Sequence, residues 1–324
     1  MGKKYTMDNQ LSDNECGKDN VTKKKFRDEL GERMKEYEKD TTSQFLRGDL
    51  PWIVRLDGHH FSKFTRGFTK PFDQRLANAM IKTCCDLLTE FGPSLVYTQS
   101  DEITMVFPPL PQLLSPSPSS TTVETSDVCQ KQEQKQEKKQ EQRQQPFGGK
   151  ISKITTLMAS FCAVRFNFHI QAEQYNSNTE DKLSTKVKLC QAYFDARAFN
   201  VPSKVEAVNN ILWRSYVDCR RNSVINLGHT HFSPKQMHGV STSDVYDKLL
   251  KLGVDWNRYP SAYKYGTFAK KNTIQKSAID LKTGEQTIVT RTQVQTRSFD
   301  LDGFHTTHEN LLFAKYWSDY DSQQ

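Results

Sequence analysis

The residues best placed to do chemistry are carboxylates at the ends of short β-type runs. Pro51–Asp57 (PWIVRLD) is apolar, rich in strand formers and closed by Asp57-Gly58, the pattern of a buried strand that delivers an acid into a turn. Ser94–Thr98 and Glu102–Phe107 are two further β-rich runs joined by Gln99-Ser100-Asp101, a hairpin with Asp101 and Glu102 at its turn. Were these strands neighbours, two or three carboxylates would converge on one point. Clustered carboxylates repel one another, and Mg²⁺, a hard ion that prefers oxygen ligands, relieves that repulsion. Two such ions can clamp the attacking and leaving oxygens of a phosphoryl transfer. Spacing alone favours a plainer reading, in which Asp57 and Asp101 only make turns.

Cations shift that balance. Arg55 precedes Asp57 by two residues and shares its strand face, and Lys150 and Lys153, three apart, share a helix face near its N-terminus. The turn Asp57-Gly58-His59-His60-Phe61-Ser62 offers backbone N–H groups to a triphosphate. Taken singly, each lysine reads as an ordinary solvated charge. Gly149-Lys150 does not make a phosphate loop, because Gln144 stands where that pattern needs glycine and Ile151 where it needs Ser or Thr. The adjacent His59 and His60 point apart in a strand or turn, and His229, His231 and His238 match no zinc spacing.

The elements that must position these groups follow from periodicity. Phe26–Glu38 has helical spacing of Phe26, Leu30, Met34 and Tyr37, and Phe72, Leu76, Met80, Cys84, Leu87, Leu88 and Phe91 mark a helix stopped by Gly92-Pro93. A second core helix begins near Ile151, a strand follows over Tyr193–Phe199, and a third helix spans about 203–222 with Val205, Val208, Leu212, Tyr216 and Cys219 inward. The order βαββαβ is an α+β, ferredoxin-like plan with its helices on one face. Residues 286–299 alternate and form a hairpin with those before Gly284, so helices and a β-hairpin extend the core C-terminally.

Composition agrees with a folded core carrying polar additions. Hydrophobic residues make up 35% of 324, and glycine raises this to about 40%, below the usual 45–50% or so. Part of the deficit is local: residues 111–146 are Pro/Ser-rich and then Gln/Lys/Glu-rich, with five basic and five acidic residues, and read as a low-complexity insertion. Residues 1–24 read as a disordered tail. The net charge of +7 therefore lies outside residues 111–146 and suits a polyanionic partner. Tyr263, Lys264, Tyr265, Phe268, Lys270 and Lys271 interleave aromatics with cations as an RNA surface would, or as an exposed hairpin would. No run is long enough to span a membrane, and the N-terminus has neither an apolar signal core nor an acid-poor presequence, which leaves the cytoplasm as the expected location, ahead of the mitochondrion. Seven cysteines without a CxxC read as reduced thiols.

Taken together, RLDGHHFSKF (55–64), GFTKPFD (67–73), QSDEITMVF (99–107), GGKISKI (148–154), FDARAFNVPS (194–203) and RNS (221–223) resemble the tRNA-His guanylyltransferase superfamily, 3′-to-5′ nucleotide polymerases with a polymerase-like palm. The resemblance implies a palm over 25–110 and 147–225 and an RNA-binding and oligomerisation region over 226–324. It implies two Mg²⁺ ions on Asp57, Asp101 and the Gly58 carbonyl, with Glu102 assisting catalysis. It implies an NTP cradle of Asp57, Gly58, His59, His60, Phe61, Ser62, Ser100 and Asp101 with the cations Arg55, Lys150, Lys153 and Arg197. Lys70, Asp73 and Asn222 would lie near the tRNA 5′ end. GTP or another NTP is the implied substrate, with ATP for 5′ activation, and the implied assembly is a homotetramer. One departure matters: where true tRNA-His guanylyltransferases carry His-Ile-Asn-Asn after a Trp-Arg helix, this chain has Arg221-Asn222-Ser223, the form of guanylyltransferase-like proteins that repair tRNA 5′ ends by templated addition. A nucleotide cyclase on the same palm is disfavoured by the lack of a GG[DE]EF-type turn, and a catalytically silent tRNA-binding protein by retention of the three carboxylates.

Overall fold

The computed structural model describes residues 28–39, 43–111, 145–279, 284–301 and 307–322. The tail expected over 1–24 and nearly all of the 111–146 insertion lie outside them. Residues 28–39 form a helix whose Leu30, Met34 and Tyr37 are exposed and whose Glu/Lys pairs, Lys35–Glu32 and Lys39–Glu36, sit three apart. It belongs to a unit ending at Gln44, and a second unit runs from Phe45 to the C-terminus.

The second unit is built on one antiparallel sheet of six strands: β1 Trp52–His59, β2 Leu95–Gln99, β3 Glu102–Phe107, β4 Tyr193–Asn200, β5 Thr267–Ile279 and β6 Gln286–Arg297. Their order is β4-β1-β3-β2-β5-β6, so the first four strands carry the ferredoxin-like order and the β5–β6 hairpin extends the sheet beyond β2. The main helices are α1 Phe61–Phe64, α2 Gln74–Phe91, α3 Ile151–Gln171, α4 Asp181–Lys188, α5 Lys204–Leu212, α6 Arg220–His231, α7 Pro234–Met237, α8 Thr242–Lys251, α9 Ser261–Tyr265, α10 Thr307–Phe313 and α11 Trp317–Asp321. Asp73 caps α2 by accepting from the Arg75 N–H, and Gly92 ends it in a left-handed conformation (φ 64°) that glycine adopts without a Cβ clash.

Alternation along β1 divides the core in two. Trp52, Val54 and Leu56 point to one face, where they pack with Val96, Ile103 and Met105 under α2 and α3. Ile53 points to the other, with Leu95, Tyr97, Val106 and Phe268, beneath α5, α10 and α11. The core helices α2 and α3 thus share one face, and α5 together with the C-terminal helices covers the opposite one. Residue 226 marks no structural boundary, because β5 pairs with β2 and α11 packs beside β1 residues in one cluster.

The helix expected over 203–222 runs on to His231 and is interrupted by a π-helical segment, Trp213–Cys219. Its wider turn shifts the phase of the helix. Val208, Leu212 and Cys219 are buried as the 3.6-residue period predicts, but Val205 and Tyr216 are exposed, and Arg214, Ser215 and Asp218 turn inward instead, Arg214 onto Glu102 and Asp218 and Ser215 onto the Tyr265 carbonyl.

Candidate active site

Register sets the site. Asp57 on β1 lies directly opposite Glu102 on β3 and Asp195 on β4, so three carboxylates stand side by side on one sheet face. One step back along the strands, Arg55 lies opposite Thr104 and Arg197. This is the face that carries Ile53 deeper in the sheet: it changes from apolar to charged within two residues. The Gly58 N–H donates to the Asp101 carbonyl at 3.1 Å, which folds the β2–β3 turn onto the end of β1. Ser100 occupies the left-handed region (φ 49°) within that turn, and its hydroxyl donates to Asp101 Oδ1 at 3.0 Å. Burial pushes the Asp101 carboxyl above its ordinary range, and the charge of Asp57 pushes it the same way.

The turn that leaves β1 is held from beneath. A Cβ on Gly58 would overlap the Phe61 ring, so only glycine lets that ring tuck under the strand end. Phe61 packs on Phe64, Phe166 and Phe194 with centroids 5.1–5.3 Å apart, and Lys186 of α4 donates to the carbonyls of Lys63, Phe64 and Arg66. His59 and His60 stay exposed, edge to face at 4.1 Å, with His60 in the left-handed region.

A cavity of about 510 Å³ opens beside Asp101, between the 61–73 segment and α2 on one side and α6 and α9 on the other. That volume suits a small-molecule or nucleotide ligand. Ser62, Lys70, Ser100, Asp101 and Asn222 meet on its walls. Asn222 is exposed there and its Oδ1 accepts from Arg221 Nε at 3.5 Å, while Arg221 also donates to Asp218 at 2.9 Å and the buried Ser223 accepts from the Trp256 indole at 2.9 Å.

Several expected site residues stand elsewhere or are otherwise engaged. Lys150 and Lys153 start α3, where Lys150 bridges Phe45 and Leu46 bonds Gly149; the adjacent Arg47 bonds Asn200, the partner of Trp52. That is the opposite end of the sheet from Asp57, five strand residues or about 17 Å away, so in this chain the two lysines do not join the 57–62 turn. Asp73 also lines the cavity, but its carboxylate is taken by the Thr69 and Arg75 N–H groups and the Arg75 guanidinium. It shapes the wall and is not free to meet RNA. Phe61 contributes its ring to the core and not to a cradle. Glu102 is bonded by Arg214 and has Arg55 at 4.0 Å, so it is a paired carboxylate and not an open one. The aromatic–cation run is no RNA surface as a whole: Phe268, Lys264 and Lys270 are buried, Lys264 Nζ donating to the Asn257 carbonyl and Lys270 Nζ to those of Ser94 and Ala314. Arg197 is exposed, 3.7 Å from Asp195. The motifs did not single out Asp195, Arg214 or Asp218; the opposite charges of Arg214 and Asp218 at i, i+4 were the available signal.

Asp57 and Asp101 form a pair of hard oxygen donors whose mutual repulsion calls for a cation. Among the described residues no group of three or more His, Cys, Asp or Glu is arranged to hold an ion. Mg²⁺ keeps several waters and binds through one or two carboxylates together with substrate phosphates, so this donor set suits Mg²⁺ arriving with a nucleotide and not zinc. Among the described residues no helix is long and apolar enough to cross a membrane.

Known proteins are similar to this chain in sequence and fold. The family model described as tRNAHis guanylyltransferase (Thg1) matches residues 31–202, more than half of the chain. An uncharacterized protein, R259, of Acanthamoeba polyphaga mimivirus is 29% identical over 298 residues, covering 89% of this chain and 90% of that one. Among solved structures, a bacterial tRNA(His) guanylyltransferase (Thg1)-like protein in complex with ATP is 28% identical with a TM-score of 0.57, covering 82% of this chain and 91% of its own. The bacterial Thg1-like protein in complex with GTP is 26% identical with a TM-score of 0.53, over 82% and 90%. This chain belongs to the tRNAHis guanylyltransferase family and is a nucleotidyltransferase acting on tRNA.

Proposed function

We propose that this chain adds nucleotides to the 5′ end of 5′-truncated tRNA, in the 3′-to-5′ direction and under direction of the opposite acceptor strand. The observation that carries this reading is Asn222 of the Arg221-Asn222-Ser223 motif on the wall of the cavity that also holds Asp101. The histidine of the His-Ile-Asn-Asn form, which goes with G(−1) addition to tRNA-His, has no counterpart in this chain. The alternative, a true tRNA-His guanylyltransferase, has the family match in its favour.

In this account the tRNA 5′ end is activated as an adenylate or is already a triphosphate, and the relatives bound to ATP and GTP support both nucleotides as substrates. The 3′-hydroxyl of the incoming NTP attacks the activated 5′ phosphate: an O–P bond forms, the bond to AMP or pyrophosphate breaks, and the hydroxyl gives up its proton. Asp57 and Asp101 would hold the Mg²⁺ ions, which lower the hydroxyl pKa and neutralise developing charge. The 57–62 turn and Ser100 orient the triphosphate, with Arg55 and Arg197 behind the carboxylates. Lys70 and Asn222 receive the RNA end across the cavity. A homotetramer in the cytoplasm completes the proposal, on the family resemblance.

The test is incubation of the protein with Mg²⁺, NTPs and a labelled tRNA lacking its first 5′ nucleotide. One-nucleotide extension is expected; no extension, or equal extension by Asp101→Ala, overturns the reading.

A further inference from the structure

Arg214 is more confined than Arg55, the other cation beside Glu102. It projects from the π-helical segment with its side chain 11% exposed, one guanidinium nitrogen on Asp218 and another on Glu102, while its Nε is buried without a hydrogen bond. Asp218 also accepts from Arg221, so the anchor is itself braced. Glu102 Oε1 is likewise buried without a hydrogen bond and has Arg55 Nε at 4.0 Å. Two arginines therefore converge on Glu102, which stands between Asp57, its partner across the strands, and Asp101, its neighbour in the chain. A planar fork holds two carboxylates from separate nitrogens in fixed directions, where a lysine offers one compact, rotatable point charge. The π segment supplies the phase shift that turns Arg214 onto Glu102 and buries Asp218 beside it.

We propose that Arg214 is a positioning residue: it fixes and neutralises Glu102, so that Glu102 is not a metal ligand and the negative charge left to attract Mg²⁺ is that of Asp57 and Asp101. A divalent ion on Glu102 would have to displace, or sit against, two guanidinium groups. The kinetic half of this inference rests on the nucleotidyl-transfer reading; the metal-binding half does not.

The experiment measures Mn²⁺ binding to the free full-length chain, by the electron paramagnetic resonance signal of unbound Mn²⁺, alongside steady-state extension of truncated tRNA. Arg214→Met removes a positive charge and should tighten Mn²⁺ binding by at least roughly fivefold, the floor set by the repulsion of unit charges a few ångströms apart in bulk water. It should also lower kcat by at least about tenfold with the KM for tRNA within about twofold, as for a contact made only in the transition state. Arg214→Met with Glu102→Gln removes both charges and should restore wild-type Mn²⁺ affinity. Arg214→Lys keeps the charge without the fork, so affinity stays and kcat falls. Mn²⁺ binding unchanged or weakened in Arg214→Met, a raised KM for tRNA or NTP, or loss of Mn²⁺ binding in the double variant overturns the proposal. If Arg214→Met does not fold, the double variant and Arg214→Lys decide the matter by the same criteria. Wild-type protein that binds Mn²⁺ but extends no tRNA contradicts the functional reading and leaves the Mn²⁺ comparison able to decide this one.

Discussion

The two faces of β1 differ sharply in burial and charge. Trp52, Val54 and Leu56 face α2 and α3 and are almost wholly buried. Ile53, Arg55 and Asp57, the residues between and beyond them, run on the other face from an apolar seat to a carboxylate flanked by Glu102 and Asp195. Like charges directly across strands are destabilising, and a strand that tolerates them must be held by something else. Here the hold comes from its reverse side and from the aromatic cluster around Phe61. One face supplies stability and the other stores repulsion for a cation to relieve.

The largest break in that comparison is on the charged side. Asp101→Ala should lower nucleotidyl transfer by on the order of 10³-fold, since several kcal/mol of charge stabilisation are lost, with the melting temperature unchanged or raised. Single-turnover extension assays and thermal melts read the two halves. Leu56→Ala is the mirror experiment: a cavity in the buried face should cost about 2–5 kcal/mol by denaturant unfolding, with the activity per folded molecule retained.

A second cation on the charged-face side gives a pH test. Lys270, one strand alternation from Phe268, is fully buried, and its amine is pushed down to about 7 by loss of solvent, against a smaller upward pull from Asp319. Between about 7 and the ordinary 10.5 the unfolded chain binds the proton that the folded chain lacks. Stability should therefore rise with pH across that window, and the penalty should be fully present below it. Lys270→Met should flatten the slope in urea titrations run at several pH values; an unchanged slope assigns it to another group. The smallest effect is expected where the faces meet. Gly58→Ala forces a methyl group against the Phe61 ring and should cost about 1–3 kcal/mol, with kcat falling more than stability if the turn orients the nucleotide.

Much of this was legible in the sequence because it rests on local signals. An apolar β run ending in Asp57-Gly58, a hairpin turn at Ser100-Asp101 and helical spacing from Phe72 to Phe91 each fix an element, and their order gives the sheet. What was not legible depends on which end or face an element presents. Helical spacing put Lys150 and Lys153 on one face of α3 but did not say that α3 starts where β3 ends, far from Asp57. Lys264 and Lys270 looked solvated because lysine usually is; backbone carbonyls that accept from a buried amine leave no mark in the sequence. The π segment breaks the 3.6-residue count, which on its own places Tyr216 inward and gives Arg214 no inward signal. Asp73 matched a family position, yet its capping and its bonds to Arg75 depend on the loop's path.

The measurement that tests the central claim most directly exchanges the template. A truncated, 5′-labelled tRNA is offered each NTP singly with Mg²⁺, and then again after the facing nucleotide of the acceptor strand has been changed. If the Asp57–Asp101 end of the sheet builds a templated 5′ end, the nucleotide added will switch to the new Watson–Crick complement. Addition of guanosine whatever the facing nucleotide, or addition that survives Asp101→Ala, would contradict it.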